Sequence, residues 1–93
     1  MLFGMYIVIY LIINNDRYKQ ISLQFYTILM GYADDLQAVS VDEALIEVTS
    51  NVVRLQASSG TQDAAKDLAE IIRADVLKKT GCQGLYYLIY IDN

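Results

Sequence analysis

The stretch Ser40-Val41-Asp42-Glu43-Ala44-Leu45-Ile46-Glu47-Val48-Thr49 sets two adjacent carboxylates where one short apolar strand gives way to another. In a regular strand neighbouring side chains point to opposite faces, so Asp42 and Glu43 could not share one ion. A hairpin turn or bulge breaks that alternation, and both acids can then converge on a single point. No Lys or Arg lies within ten positions on either side. That leaves a hard-oxygen pair of the kind that suits Mg²⁺, half of a two-metal phosphoryl-transfer centre. The plain alternative is an acidic turn facing water.

Six elements account for the chain. Apolar, β-branched residues predict a strand over 5–13. Tyr18, Ile21, Phe25, Ile28, Leu29 and Tyr32 then recur at helical spacing, behind capping side chains at Asn14, Asn15 and Asp16, with Gly31 near the helix end. Strands over 36–41 and 44–49 flank the acidic pair. A polar loop through Ser58-Ser59-Gly60 leads to a second helix with the stripe Ala65, Leu68, Ile72 and Val76. Ser59 with Gln62 can form a capping box at its start, and Lys78, Lys79 and Gly81 mark its end. The run Leu85–Ile91 reads as a last strand.

This order, β-α-β-β-α-β, predicts an α+β, ferredoxin-like unit: a four-stranded antiparallel sheet with two helices on one face. In the first strand Ile7, Ile9, Leu11 and Ile13 share one face, opposite Tyr6 and Tyr10. In the last, Leu85, Ile89 and Ile91 share a face with Tyr87, opposite Tyr86 and Tyr90. The expectation is aliphatic groups towards the helices and tyrosines on the open side, where function or a further domain would sit.

Composition narrows the classes. Ninety-three residues make one small domain with a modest core, and 55% apolar residues exclude disorder. A net charge of −4 with only seven basic residues predicts weak nucleic-acid binding by the chain alone. The lone Cys82 excludes an internal disulfide, fits a reducing compartment and reads as a small buried thiol. His is absent, which removes the commonest general base. Residues 1–13 carry no charge but fall short of the roughly 20 residues a spanning helix needs. They lack the basic start and small-residue cleavage site of a signal peptide, so a buried strand and no membrane role are expected.

From about Arg17 to Gln83 the chain resembles the palm of a Y-family translesion DNA polymerase. The resemblance rests on Tyr18, Ser22, Phe25-Tyr26, Ile28-Leu29 and Tyr32, on Ala38-Val39-Ser40-Val41-Asp42-Glu43-Ala44-Leu45, and on Lys78-Lys79-Thr80-Gly81-Cys82. The family's signature is Ser-x-Asp-Glu-Ala; the flanking Ala-Val and Leu are most similar to the eukaryotic, fungal-like deoxycytidyl-transferase branch. It implies that Asp42 bridges metal ions and that Glu43 helps hold the catalytic Mg²⁺ near a primer 3′ hydroxyl. It further implies primer-template DNA and dNTP as partners, a nuclear location, and a role in DNA repair. Ser40 reads as a turn-former, Tyr18 and Ser22 as helix packing and local hydrogen bonding, and Glu47 as solvated.

Residues 1–93 therefore read as a single partial palm domain with divergent strands over 1–13 and 84–93. The family takes a further catalytic aspartate from its first palm strand, yet no acid precedes Asp16 here. The small-residue pattern and phosphate-contacting Lys that normally follow the second helix are missing, as are fingers and thumb. The isolated chain is expected to be catalytically silent and to come from a truncated or mis-spliced gene.

Three other readings stay open. Tyr32-Ala33-Asp34-Asp35 matches the paired-aspartate turn of reverse transcriptases, which those enzymes place between two strands. A sheet with exposed tyrosines is similar to the RNA-recognition module, where aromatics stack on bases, although this chain lacks the module's basic, Gly-aromatic motif. A non-catalytic palm remnant packing on another protein through its open face is the third.

Overall fold

A computed structural model describes residues 3–13 and 16–92. Its elements are β1 (Phe3–Leu11), α1 (Tyr18–Met30), β2 (Asp35–Ser40), β3 (Glu43–Glu47), α2 (Thr49–Ser59), α3 (Ala64–Thr80) and β4 (Gly84–Asp92). The four strands pair antiparallel in the order β2-β3-β1-β4. This is the α+β, ferredoxin-like arrangement, with three helices where two are predicted.

Aliphatic alternation explains why β1 is central. Ile7, Ile9 and Leu11 are buried beneath the helices with Ala44 and Ile46 of β3. Against them α1 sets Ile21, Phe25, Ile28 and Leu29, and α3 sets Ala65, Leu68, Ala69, Ile72 and Val76. These follow the predicted stripes, spaced three and four apart as a helix requires, except that Tyr18 at the start of α1 is exposed rather than packed and Ala69 joins the α3 set. Cys82 is a free, buried thiol on the same core. Ile13 lies beyond the end of β1 but still packs on the core.

The added helix, α2, replaces most of the predicted loop. Val52 is its one buried residue and Leu55 packs beside it, giving with Val48 an i, i+4, i+7 line. Gly60 ends it in the left-handed region at φ 68°, a conformation that costs glycine little. Ser59 is thus the last residue of α2, and the predicted Ser59–Gln62 capping box does not form. The N-cap of α3 is Asp63, without a side-chain capping bond, and Thr61 Oγ1 instead donates to Asp67 Oδ2 at 2.6 Å. Gly81 closes α3 at φ 75°, as the Lys78-Lys79-Gly81 pattern predicts. At α1 the N-cap is Arg17 rather than Asp16, while Asn14 and Asn15 lie outside the described residues.

The last strand turns over relative to expectation. Its register with β1 sets Tyr86 opposite Ile9, Leu88 opposite Ile7 and Tyr90 opposite Met5. Those three therefore share the helix side, and Tyr86 and Leu88 pack on the core. Leu85, Tyr87, Ile89 and Ile91 occupy the open side with Tyr6, Val8 and Tyr10. Both faces of this run are apolar, so sequence alone could not fix its parity; pairing with β1 does. Tyr86 is held by Glu70 and lies 5.7 Å beneath the Arg73 guanidinium, a contact that accounts for a tyrosine on the core side.

Candidate functional site: the acidic corner

The corner between β2 and β3 spans Val41 and Asp42. Among the described residues only glycines have positive φ, so this two-residue link lacks the primed-turn backbone that matches strand twist. The mismatch is taken up next door. Ala38 pairs with Ala44 but Ser40 pairs with Glu43, which leaves Val39 as an extra residue. This β-bulge lies in β2, before the turn at Val41 and Asp42 that precedes Glu43.

Three residues of two elements pin the corner. Ser22 Oγ of α1 donates to the Val41 carbonyl oxygen at 2.5 Å. Tyr26, one helical turn later, has its phenol within reach of two carbonyl oxygens, those of Ser40 and of Glu43 (2.7 Å). From β1 the Leu11 N–H donates to the Asp42 carbonyl oxygen at 2.7 Å. Inside the corner Ser40 Oγ donates to Asp42 Oδ1 at 2.8 Å, the turn-forming role expected of it. Ser22 reaches nineteen residues along the chain rather than bonding locally. Tyr26 was visible only as part of the motif; its spacing of four from Ser22 was the available signal.

Burial raises the Tyr26 pKa above its ordinary value, and the nearby charges of Asp42 and Glu43 push it further the same way. The phenol thus stays protonated and able to donate. Tyr26→Phe removes that donor alone and is expected to cost about 1–2 kcal/mol, the range for a lost bond that leaves a partly buried acceptor unpaired. Urea denaturation checks it; an unchanged midpoint would mean that the phenol does not hold the corner.

Glu43 sits on the open face opposite Tyr10 of β1. Because Leu11 and Asp42 are joined by a ladder bond, antiparallel alternation makes Tyr10 and Glu43 the closer, non-hydrogen-bonded kind of pair. The cross-strand neighbour of Glu43 is therefore a phenol. Among the described residues no three acids, cysteines or histidines gather closely enough to hold a metal ion. One oxygen of Asp42 is also engaged by Ser40. Two carboxylates, one of them partly committed, do not fit a two-ion centre.

Glu47 is not the solvated residue expected. It is half-buried on the open face, accepts a hydrogen bond from Thr49 Oγ1, and its carbonyl oxygen receives the Asp34 N–H at 2.8 Å. The Tyr32-Ala33-Asp34-Asp35 run joins α1 to β2 instead of linking two strands, which removes the geometry of a reverse-transcriptase turn. Asp34 Oδ2 accepts from the Ser50 N–H at 2.9 Å, capping the first turn of α2, and Asn51 Nδ2 donates to the Tyr32 carbonyl oxygen. The backbone hydrogen bond from Ser50 is the main cause holding the Asp34 carboxyl below the usual carboxylate range. A depressed folded-state pKa stabilises above the unfolded value and loses that contribution as pH falls through the folded one. Stability should therefore drop below about pH 4, and Asp34→Asn should flatten that acid limb in thermal melts. An unaltered limb would exclude Asp34 as its source.

A groove of about 730 Å³ lies elsewhere, between α1 and α3, lined by Leu23, Thr27, Tyr32, Asp75 and Lys79 among others. It contains no residue of the corner. No helix among the described residues is long and apolar enough to cross a membrane.

The fold and its corner define a class: a palm-like sheet that presents paired acids at a bulged hairpin. The impB/mucB/samB family model matches residues 5–84, and the chain belongs to that family, the Y-family polymerase domain. The DNA repair protein rev1 of Schizosaccharomyces pombe is 40% identical over 67 residues, 71% of this chain and 6% of its own length. DNA polymerase IV of Metallosphaera sedula is 34% identical over 71 residues, covering 76% of this chain and 18% of the relative. DNA polymerase IV of Lactococcus lactis is 35% identical over 68 residues, 73% and 17% respectively. The chain thus spans a fifth or less of these relatives. They come from eukaryote, archaeon and bacterium alike, so no single branch stands out. No solved structure gives a significant match.

Proposed function

We propose that this chain is part of the palm of a translesion DNA polymerase, most like the deoxycytidyl-transferase branch, with Asp42 and Glu43 as its metal-holding acids. In a whole polymerase this corner would serve Mg²⁺-dependent insertion of a nucleotide on primer-template DNA, in the nucleus. Alone, the chain is catalytically silent. The observation that supports this most is the corner itself, a bulged hairpin held from α1 and β1 with an acid at its tip and a second beside it. Its immediate neighbour Tyr10 supplies no third carboxylate, which supports silence. The runner-up, a palm remnant that only binds another protein, is favoured by the exposed apolar side chains Leu85 and Tyr87 on the open face.

A segment exchange tests the reading. Transplanting Ala38–Leu45 into Lactococcus lactis DNA polymerase IV should preserve primer extension within about tenfold. Asp42→Ala in that chimera should then remove several kcal/mol of charge stabilisation, roughly a hundredfold or more in rate. A chimera indifferent to Asp42→Ala would refute the assignment. Primer extension by the native chain alone, abolished by Asp42→Ala, would refute its silence.

A further inference from the structure

The two edges of the sheet are built differently. β2 ends in a bulge and carries Asp35, Gln37 and Ser40, features that discourage strand addition. At the other edge, residues 84–91 carry no charge and no proline. Among the described residues no strand lies beyond β4.

The backbone of β4 has a definite outward pattern. The Ile12 N–H donates to the Gln83 carbonyl oxygen at 2.9 Å. Antiparallel alternation from that bond directs the N–H and C=O groups of Leu85, Tyr87 and Ile89 to β1, and those of Gly84, Tyr86, Leu88 and Tyr90 away from it. The outward carbonyl of Gly84 is already taken by Arg73 Nε at 2.8 Å. Tyr86, Leu88 and Tyr90 remain, an evenly spaced ladder with no strand beside it.

We propose that this ladder pairs antiparallel with the β4 of a second copy, about a two-fold axis at Leu88. Self-complementarity selects this occupant. With the axis at Leu88, Tyr86 meets Tyr90 of the second copy and Leu88 meets its counterpart, so all three outward residues bond. With the axis at Tyr87, Tyr90 would meet Gly84, whose carbonyl is already engaged. The Leu88 register also joins like faces: helix-side residues oppose helix-side residues, and Tyr87 opposes Ile89 on the open side. Leu85, Tyr87 and Tyr90, which are 41%, 54% and 57% exposed, lie along the joined strands. The product is an eight-stranded sheet with both helical layers on one side, a closed two-fold assembly.

Light scattering and amide exchange over rising protein concentration test this. Mass should climb towards twice the 10.5 kDa of one chain. Exchange at Tyr86, Leu88 and Tyr90 should slow at least tenfold over the same range, while Tyr87 and Ile89 stay protected throughout. Tyr90→Pro deletes an outward N–H that β1 does not use, and Tyr87→Lys sets a charge against Ile89 of the second copy; each should weaken association at least tenfold. Should Tyr90→Pro fail to fold, Tyr87→Lys carries the test. The proposal is overturned by a monomer with those three amides unprotected up to millimolar concentration. Protection at Asp35–Ser40 instead, or a dimer indifferent to both substitutions, overturns it equally.

Discussion

Replacing Tyr10 by Asp is expected to give the chain a much larger divalent-cation response than the native sequence has. Tyr10 is the cross-strand neighbour of Glu43 in a close pair, and its adjoining residue Leu11 is bonded to the Asp42 backbone. A carboxylate at position 10 would stand opposite Glu43 on the open face, with Asp42 next to it along the chain. Tyr10 is 38% exposed, so removing its ring leaves no sealed cavity. Without metal the variant should be slightly less stable, since like charges directly opposite on neighbouring strands cost roughly 0.2–1 kcal/mol. A cation that binds only the folded chain reverses this by mass action, adding about 2.7 kcal/mol at a hundredfold excess over its dissociation constant. For a domain of this size that is a rise of roughly 10–20 °C in melting temperature. Thermal melts with and without Mn²⁺ or Mg²⁺ supply the measurement. The native chain should respond by a few degrees at most, and adding Asp42→Asn to Tyr10→Asp should remove the response. If Tyr10→Asp melts at one temperature whatever the metal, positions 10, 42 and 43 do not converge.

The corner was readable in the sequence because its signal is local. Two acids in succession, flanked by short apolar alternations, suggest a break between strands, and the turn at Val41 and Asp42 supplies it. What holds the corner was less readable. Ser22 and Tyr26 stand one turn apart on α1, beside a core stripe that begins at Ile21 and Phe25, so packing explained the segment without their hydroxyls. Their role depends on which helix face meets which hairpin, a tertiary fact. Tyr10 is similar: its direction followed from alternation, but its partner Glu43 required the register.

The two misread segments failed for different physical reasons. α2 buries little, with Val52 as its one buried residue, and Ser, Thr and paired Val weaken its intrinsic helix preference. Its start is stabilised from a distance, by the Asp34 carboxylate on Ser50, and no window of contiguous residues contains that cap. β4 was found as a strand but turned over. Apolar residues occupy both its faces, and the choice is made by Ile7 and Ile9, which place Leu88 and Tyr86 beside them. Glu70 and Arg73 then give the Tyr86 ring polar company on the helix side.

Phe25→Ala is expected to destabilise the chain more than any change at the corner. Phe25 is fully buried, and its ring meets the Tyr26 ring edge-on at 5.2 Å and 61°. Truncating a buried phenylalanine costs about 3–5 kcal/mol, because the lost transfer energy adds to the cavity left behind. A domain of this length has a net stability of roughly 5–14 kcal/mol, so the change consumes a large share of it. Urea titration should move to a markedly lower midpoint with an unchanged slope. Leu23, on the same helix but 71% exposed, is the control; Leu23→Ala should stay within about 0.5 kcal/mol of the native chain. The effect should also reach the corner, since Tyr26 leans on Phe25 while its phenol holds Ser40 and Glu43. Below the unfolding transition, amide exchange at Val41 to Glu43 should accelerate in Phe25→Ala and remain native in Leu23→Ala. Equal midpoints for the two variants would mean that α1 does not carry the core, and native exchange at the corner would separate core packing from the site it positions.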